Sequence, residues 1–288
     1  MSQRVYQMVT DKIIAELEKG VIPWNKPWQD NTSMSVPVNM KSGRQYRGIN
    51  VWMLLAGGYS SKYWLSYKQA KARGGQVKKG ERSTPVIFWK MIEVEDQQAP
   101  DGKKKVPMIR YYNAFNLDQV EGLEDPDRKE TRLNSFNPIQ EAEKVIHGMP
   151  NPPEISHVQP RAFYLPRQDR VNLPLPGLFK SPEYYYASAF HELVHSTGHE
   201  TRLNRRPSTD PRQIGDKSYS MEELVAEMGA SFLCAHVKIE NRTLENQAAY
   251  IQGWIEILRE SPRILVQAGS QAQKAADYIL NTTFEDQT

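Results

Sequence analysis

Cysteine is nearly absent. Cys234 stands alone in 288 residues, which excludes an internal disulfide and any zinc site built from several thiolates. It also excludes the zinc nucleobase deaminases, whose metal is held partly by cysteines. Long apolar runs are missing as well, and no stretch approaches the length of a membrane span. Residues 1–20 carry acids and a helical period in place of a signal peptide's apolar core. A cytoplasmic protein without a membrane partner is the expectation. No helix-turn-helix or zinc-finger pattern occurs either, which counts against groove reading of duplex DNA.

What is present is unevenly spread. Residues 1–110 hold 19 Lys+Arg against 9 Asp+Glu, whereas the remainder holds 18 against 25. Trp24, Trp28, Trp52, Trp64 and Trp89, five of the six tryptophans, lie in the same basic part. Cations neutralise phosphates while ring faces stack on exposed bases, so this half suits a single-stranded nucleic acid. A Trp-rich core under a solvated basic face is the competing reading. The candidate contacts are Arg44, Tyr46, Arg47, Trp64, Tyr67, Lys68, Lys71, Arg73, Lys78, Lys79 and Arg82, with Trp89 beside Lys90 in the same style.

The local signals in this half are mixed. Val5, Val9, Ile13 and Leu17 recur at helical spacing before Gly20, and Pro23 to Trp28 breaks the helix. Residues 63–73 begin extended and continue as a short helix ended by Gly74-Gly75. Residues 85–90 and 108–115 read as paired strands, with Asp101-Gly102 at the turn. The polar, Pro- and Gly-broken stretch that follows marks a boundary. The expected architecture is α+β with two domains: a small mixed N-terminal module over 1–120, a linker over 121–139, and a second domain over 140–288.

The second domain is organised around Ala189-Phe190-His191-Glu192-Leu193-Val194-His195. On a helix His191 and His195 share one face, where two neutral imidazoles hold two corners of a metal site. Glu192 points elsewhere and reaches a metal-bound water, taking its proton and passing it on. Histidines satisfied inside a buried amphipathic helix are the bland alternative. Ser181-Pro182-Glu183 supplies an N-terminal signature for this helix. Residues 161–164 and 170–173 read as strands of a small sheet. By analogy with zinc peptidases, an edge strand there pairs with an extended peptide.

A third ligand is required. Glu223 is the first choice, on a later helical stretch that also carries Glu227, one turn on, as the carboxylate that orients a ligating ring. Glu222 is expected on the solvated face, with ligation of the metal as its lesser alternative. His199 competes, but Gly198 before it favours ending the helix, so His199 is expected near the metal or the substrate without ligating. Thr201 stands where a metzincin has histidine, which excludes that class. Tyr219 is a candidate donor to a developing oxyanion. Zinc is the expected ion, and the pattern does not choose it over manganese or cobalt.

Taken together, PWNKPW (23–28), SGRQYRGIN (42–50), YWLSYKQA (63–70), VKKGE (77–81), HELVHSTGH (191–199), TRLNR (201–205), EELVAE (222–227) and AQKAADYI (272–279) resemble the ArdC-type antirestriction proteins of conjugative plasmids. The matches follow one another in order along nearly the whole chain. The resemblance implies an N-terminal domain that binds single-stranded DNA and a C-terminal zincin-like metallopeptidase domain. It implies a role in the recipient cell: shielding incoming plasmid DNA from restriction endonucleases during conjugation. Similar N-terminal domains are joined to plasmid primases. Two alternatives differ in what the gluzincin-like site does. It either cleaves a restriction endonuclease or another host protein, or its metal is purely structural.

Overall fold

Two apolar stretches, Val86 to Trp89 and Val106 to Ile109, lie on the two strands of one long ribbon in the N-terminal part. The computed structural model describes residues 2–19, 22–23, 36–95, 103–126, 138–205, 217–239 and 247–282. Trp24, Trp28, Gly20 and the Asp101-Gly102 turn lie outside these. The chain divides into two compact units, residues 1–15 with 36–131 and residues 16–35 with 132–288.

In the first unit the elements run α1 (Ser2–Leu17), β1 (Val38–Asn39), α2 (Ile49–Leu55), β2 (Tyr63–Ser66), α3 (Tyr67–Ala72), β3 (Gln76–Val77), β4 (Thr84–Glu95), β5 (Lys103–Asn116) and β6 (Val120–Glu121). Four strands form one sheet in the order β1-β2-β5-β4, and β3 pairs with β6 apart from it. The β4–β5 ribbon is antiparallel, with Ile87 opposite Tyr111 and Trp89 opposite Ile109. Its outer edge at β4 is closed by a side chain: Asn50 accepts from the Ile87 N–H and donates to the Ile87 carbonyl, both at 2.8 Å. Two bonds from one amide occupy backbone groups that an edge strand otherwise leaves for another chain.

One core cluster joins Trp64 and Tyr46 to Leu54, Val86 and Ala114. Trp64 is 2% exposed because β2 turns it to the sheet face that packs with Leu54. Ser66 caps α3 through a reciprocal box with Gln69, which fixes where strand gives way to helix.

The second unit contains α4 (Pro138–Gly148), β7 (Glu154–Ser156), β8 (Phe163–Leu165), β9 (Arg170–Asn172), α5 (Pro182–Ser196), α6 (Lys217–His236), α7 (Gln247–Glu260) and α8 (Arg263–Ile279). Its sheet has the order β7-β9-β8, so β8 is an edge. Pro182 occupies the first turn of α5, but the Ser181 side chain makes no cap bond. Proline's fixed φ starts the helix there, with Glu183 in its first turn. Phe190, Leu193 and Val194 of α5 are wholly buried. The α5–α6 crossing is close because α6 presents Gly229, whose missing side chain faces Val194. No helix among the described residues is long and apolar enough to cross a membrane.

Candidate functional site

Helix geometry brings His191 and His195 together, and the α5–α6 crossing delivers a carboxylate to both. The two Nε2 atoms are 3.1 Å apart. Glu223 sets one oxygen 3.6 Å from His191 Nε2 and the other 3.4 Å from His195 Nε2. The ligating atoms of His191, His195 and Glu223 all lie within 4.8 Å of one another. Two facing imidazole nitrogens cannot bond each other when both are neutral acceptors, whereas a cation between them satisfies both. The donor set, two nitrogens and a carboxylate oxygen, fits a divalent transition ion with a position left open.

An acid also faces the far side of each ring. Glu227 places an oxygen 3.3 Å from His191 Nδ1, and Glu222 places one 3.5 Å from His195 Nδ1. Glu222 is therefore not on a solvated face: its side chain is 12% exposed and paired with Arg205 at 2.8 Å. The sequence expectation fails here because the partner comes from the loop after α5, which helical periodicity does not reveal. Arg205 also donates to the Val194 carbonyl at 2.8 Å, joining the end of α5 to α6. Burial by itself lowers the affinity of both histidines for a proton. The carboxylates outweigh it, holding His191 well above the usual range and raising His195 to about 9. Glu223 moves the other way: burial pushes its carboxyl up, but the two imidazoles pull it well below the usual range.

Glu192 is 8% exposed. Burial raises its pKa, partly offset by the nearby imidazoles and by the Tyr164 backbone N–H on β8. A buried fork holds that edge in place. The Arg202 side chain, with no exposed surface, donates to the Ser196 carbonyl at 2.7 Å, the Asn151 carbonyl at 3.0 Å and the Tyr164 hydroxyl at 3.2 Å. It also forks onto both oxygens of Asp169, a residue held at a positive φ of 48°. Arg202 and Arg205 both come from TRLNR, yet no pattern in the sequence marks them as the braces of the site.

His199 stands apart from the ligands, its Nδ1 2.8 Å from the Thr201 hydroxyl. Tyr219 belongs to α6, but its side chain falls outside the described residues.

In the first unit the basic candidates divide by exposure. Arg44, Tyr67, Lys68, Lys71, Arg73, Lys78, Lys79 and Arg82 are exposed, and Arg47 is half-buried. Lys78 donates to the Asp118 carbonyl at 2.7 Å and Arg73 to the Met40 carbonyl at 3.3 Å. Trp64 and Tyr46 belong to the core cluster, so neither ring face is open to stack on a base; composition cannot separate a core aromatic from a stacking one. Among the described residues the exposed rings are Tyr67 at 47%, Trp89 at 52%, Tyr111 at 47% and Phe88 at 41%. Phe88 and Tyr111 are not distinguished in the sequence from buried strand residues.

A histidine pair on one helix, a carboxylate from the next and a buried glutamate beside them define the class of zincin-like metal sites. Residues 140–271 match the family model of a zincin-like metallopeptidase, and residues 3–116 match that of the N-terminal domain of the anti-restriction factor ArdC. The chain belongs to the ArdC family of antirestriction proteins. It is similar to the crystal structures of the antirestriction ArdC protein from plasmid R388. The metal-free form shares 37% identity over 97% of this chain and 99% of that one, with a TM-score of 0.76. The Mn(II)-bound form shares 36% identity, also with a TM-score of 0.76, over 98% of this chain and 99% of that one. The uncharacterized protein y4eC of Sinorhizobium fredii is 33% identical over 96% of this chain and 91% of its own length. Two DNA primases TraC of Escherichia coli are 34% and 33% identical over 96% of this chain, which spans only 20% and 27% of their lengths. A zincin-like domain implies a divalent metal.

Proposed function

We propose that this protein binds single-stranded DNA through its first unit and shields incoming plasmid DNA from restriction endonucleases in the recipient cytoplasm during conjugation. The observation that carries the DNA-binding part is a groove of about 700 Å³ on the first unit, lined by Arg44, Lys68 and the exposed ring of Tyr67. Cations at a groove with a free ring face are the elements of single-strand recognition. Binding of a fluorescent oligonucleotide at rising salt tests it. Affinity should fall steeply with salt, and affinity that is absent or indifferent to salt removes the reading.

His191, His195 and Glu223 are the residues to hold the ion, for which zinc is our assignment. When bound, the ion supplies a Lewis acid at this position. Glu192, kept protonatable by burial and facing the Tyr164 N–H, holds and returns a proton beside it. Glu227 and Glu222 fix the ring orientations of His191 and His195.

That constellation favours a second reading, hydrolysis of a protein such as a restriction endonuclease, with DNA binding serving to localise it. Comparing Glu192→Gln with wild type in an antirestriction assay separates the two. Protection that survives with metal retained excludes proteolysis, whereas lost protection with DNA binding intact supports it. A purely structural metal predicts that Glu192 is dispensable but chelation lowers thermal stability.

A further inference from the structure

The floor of the groove on the first unit contains a polar cluster whose hydrogen bonds do not close. Asn39 Nδ2 donates to the Tyr46 hydroxyl at 3.1 Å and to Gln69 Oε1 at 3.3 Å. The Tyr112 hydroxyl donates to the same Tyr46 oxygen at 3.1 Å. Tyr46 thus accepts twice, and its own proton has no acceptor among the described residues. Reversing the bond between the two phenols merely hands the spare proton to Tyr112. A phenol carries one proton, so one O–H is left over either way. Gln69 adds to this surplus. Its Oε1 is used twice, by Asn39 and by the Ser66 N–H at 2.8 Å, and its amide NH₂ has no partner among the described residues. Tyr46, Tyr112 and Gln69 all line the groove.

Asn39 is 9% exposed and Tyr46 8%, whereas Tyr112 and Gln69 are half-buried, so the surplus donors end at the groove surface, where a ligand's acceptors can replace water. At the rim Tyr67 offers a ring face, and Arg44 and Lys68 offer positive charge.

We propose that this groove is a subsite for one nucleotide of the single strand, selective for a base that presents carbonyl oxygens, thymine in particular. The inference rests on the single-strand reading above and adds a base preference to it. Thymine directs O4 and O2 at the surplus donors, its ring stacks on Tyr67, and its phosphate lies by Arg44 and Lys68. Cytosine has nearly the same size and stacking, but its 4-amino group sets a donor against a donor. Cytosine also carries a lone pair in place of the N3 proton and lacks the 5-methyl, so the floor discriminates at position 4, where an amine replaces the carbonyl.

Fluorescence anisotropy of the full chain with labelled dT and dC oligonucleotides of equal length tests this. Two weakly self-stacking pyrimidines keep differences in strand stiffness out of the comparison. Wild type should bind dT about tenfold more tightly, the discrimination of a good pair of base contacts. In Tyr46→Phe/Tyr112→Phe the dT and dC affinities should converge, with dC nearly unchanged. Tyr67→Ala, an exposed ring whose removal leaves the core intact, should weaken both about fivefold or more; this variant carries the test if the double variant has a lowered melting temperature. Equal dT and dC binding by wild type, or Tyr67→Ala without effect, overturns the subsite and leaves single-strand binding standing. A wild type that binds neither strand overturns both.

Discussion

Gly229 provides a test in which two physical effects predict opposite signs. It lies on α6 between the turn that carries Glu223 and Glu227 and the end of the helix. A Cβ built there would sit 2.8 Å from both methyls of Val194, the residue before His195. Carbon atoms rest at about 3.5–4.0 Å, so Gly229→Ala must push α5 from α6 or force Val194 off its rotamer. Overpacking of this kind costs about 1–3 kcal/mol. Alanine's better helix propensity returns at most about 1 kcal/mol. The net expectation is a loss of about 1–2 kcal/mol, or a melting temperature lower by roughly 2–8 °C for a unit of this size. The same displacement moves Glu223 away from His195, so metal affinity measured by titration calorimetry should fall as well. Val194→Ala removes both clashing methyls, and the double variant should be less damaged than the sum of the single ones. A Gly229→Ala protein that melts higher than wild type and binds metal unchanged would refute the packing argument, because propensity alone would then account for it.

Other consequences follow from the braces of the site. Arg202→Ala leaves Asp169, whose side chain is 30% exposed, and three other acceptors without their donor and should cost about 1–3 kcal/mol in chemical unfolding; Arg202→Lys should not rescue it, because an ammonium cannot reproduce the fork. Burial raises the Asp169 carboxyl, but the bonds from Arg202 and Tyr164 outweigh it and leave the folded value below the usual one. The stability it contributes is therefore full above the unfolded carboxylate pKa and lost as pH falls through the lower folded value. Asp169→Asn should flatten that part of the acid limb, and an unchanged limb would contradict the assignment. Burial pushes the Cys234 thiol far above its ordinary range, so a thiol reagent should label it only at the rate of unfolding; fast labelling of native protein would contradict its placement. Asn50→Ala frees both Ile87 backbone groups at the β4 edge and should cost about 1–3 kcal/mol, measured by urea unfolding.

What could be read from the sequence was what depends on neighbours along the chain. The spacing of His191 and His195 needs only a helix, and the helix has its apolar residues and its proline start. The β2-to-α3 change at Ser66-Tyr67 is local too, fixed by a capping box four residues long. Glu223 could be singled out because a metal requires a third donor and a later helix offered one. The failures concern partners distant in sequence. Glu222 looked solvated until Arg205 reached it from another segment. Trp64 and Trp89 have similar basic surroundings in the sequence, yet one is 2% exposed and the other 52%, because the difference lies in which sheet face is covered. Arg202 illustrates the same limit: its acceptors come from Asn151, Tyr164, Asp169 and Ser196, and only the folded chain assembles them.

The central claim is that His191, His195 and Glu223 together hold one divalent ion. Elemental analysis of protein purified without chelators, run beside Glu223→Ala, addresses it directly. The account predicts close to one transition-metal ion per chain in wild type and a large loss in the variant, with its helical content preserved. Wild type devoid of any stoichiometric ion, or a variant that retains the full complement, would contradict it.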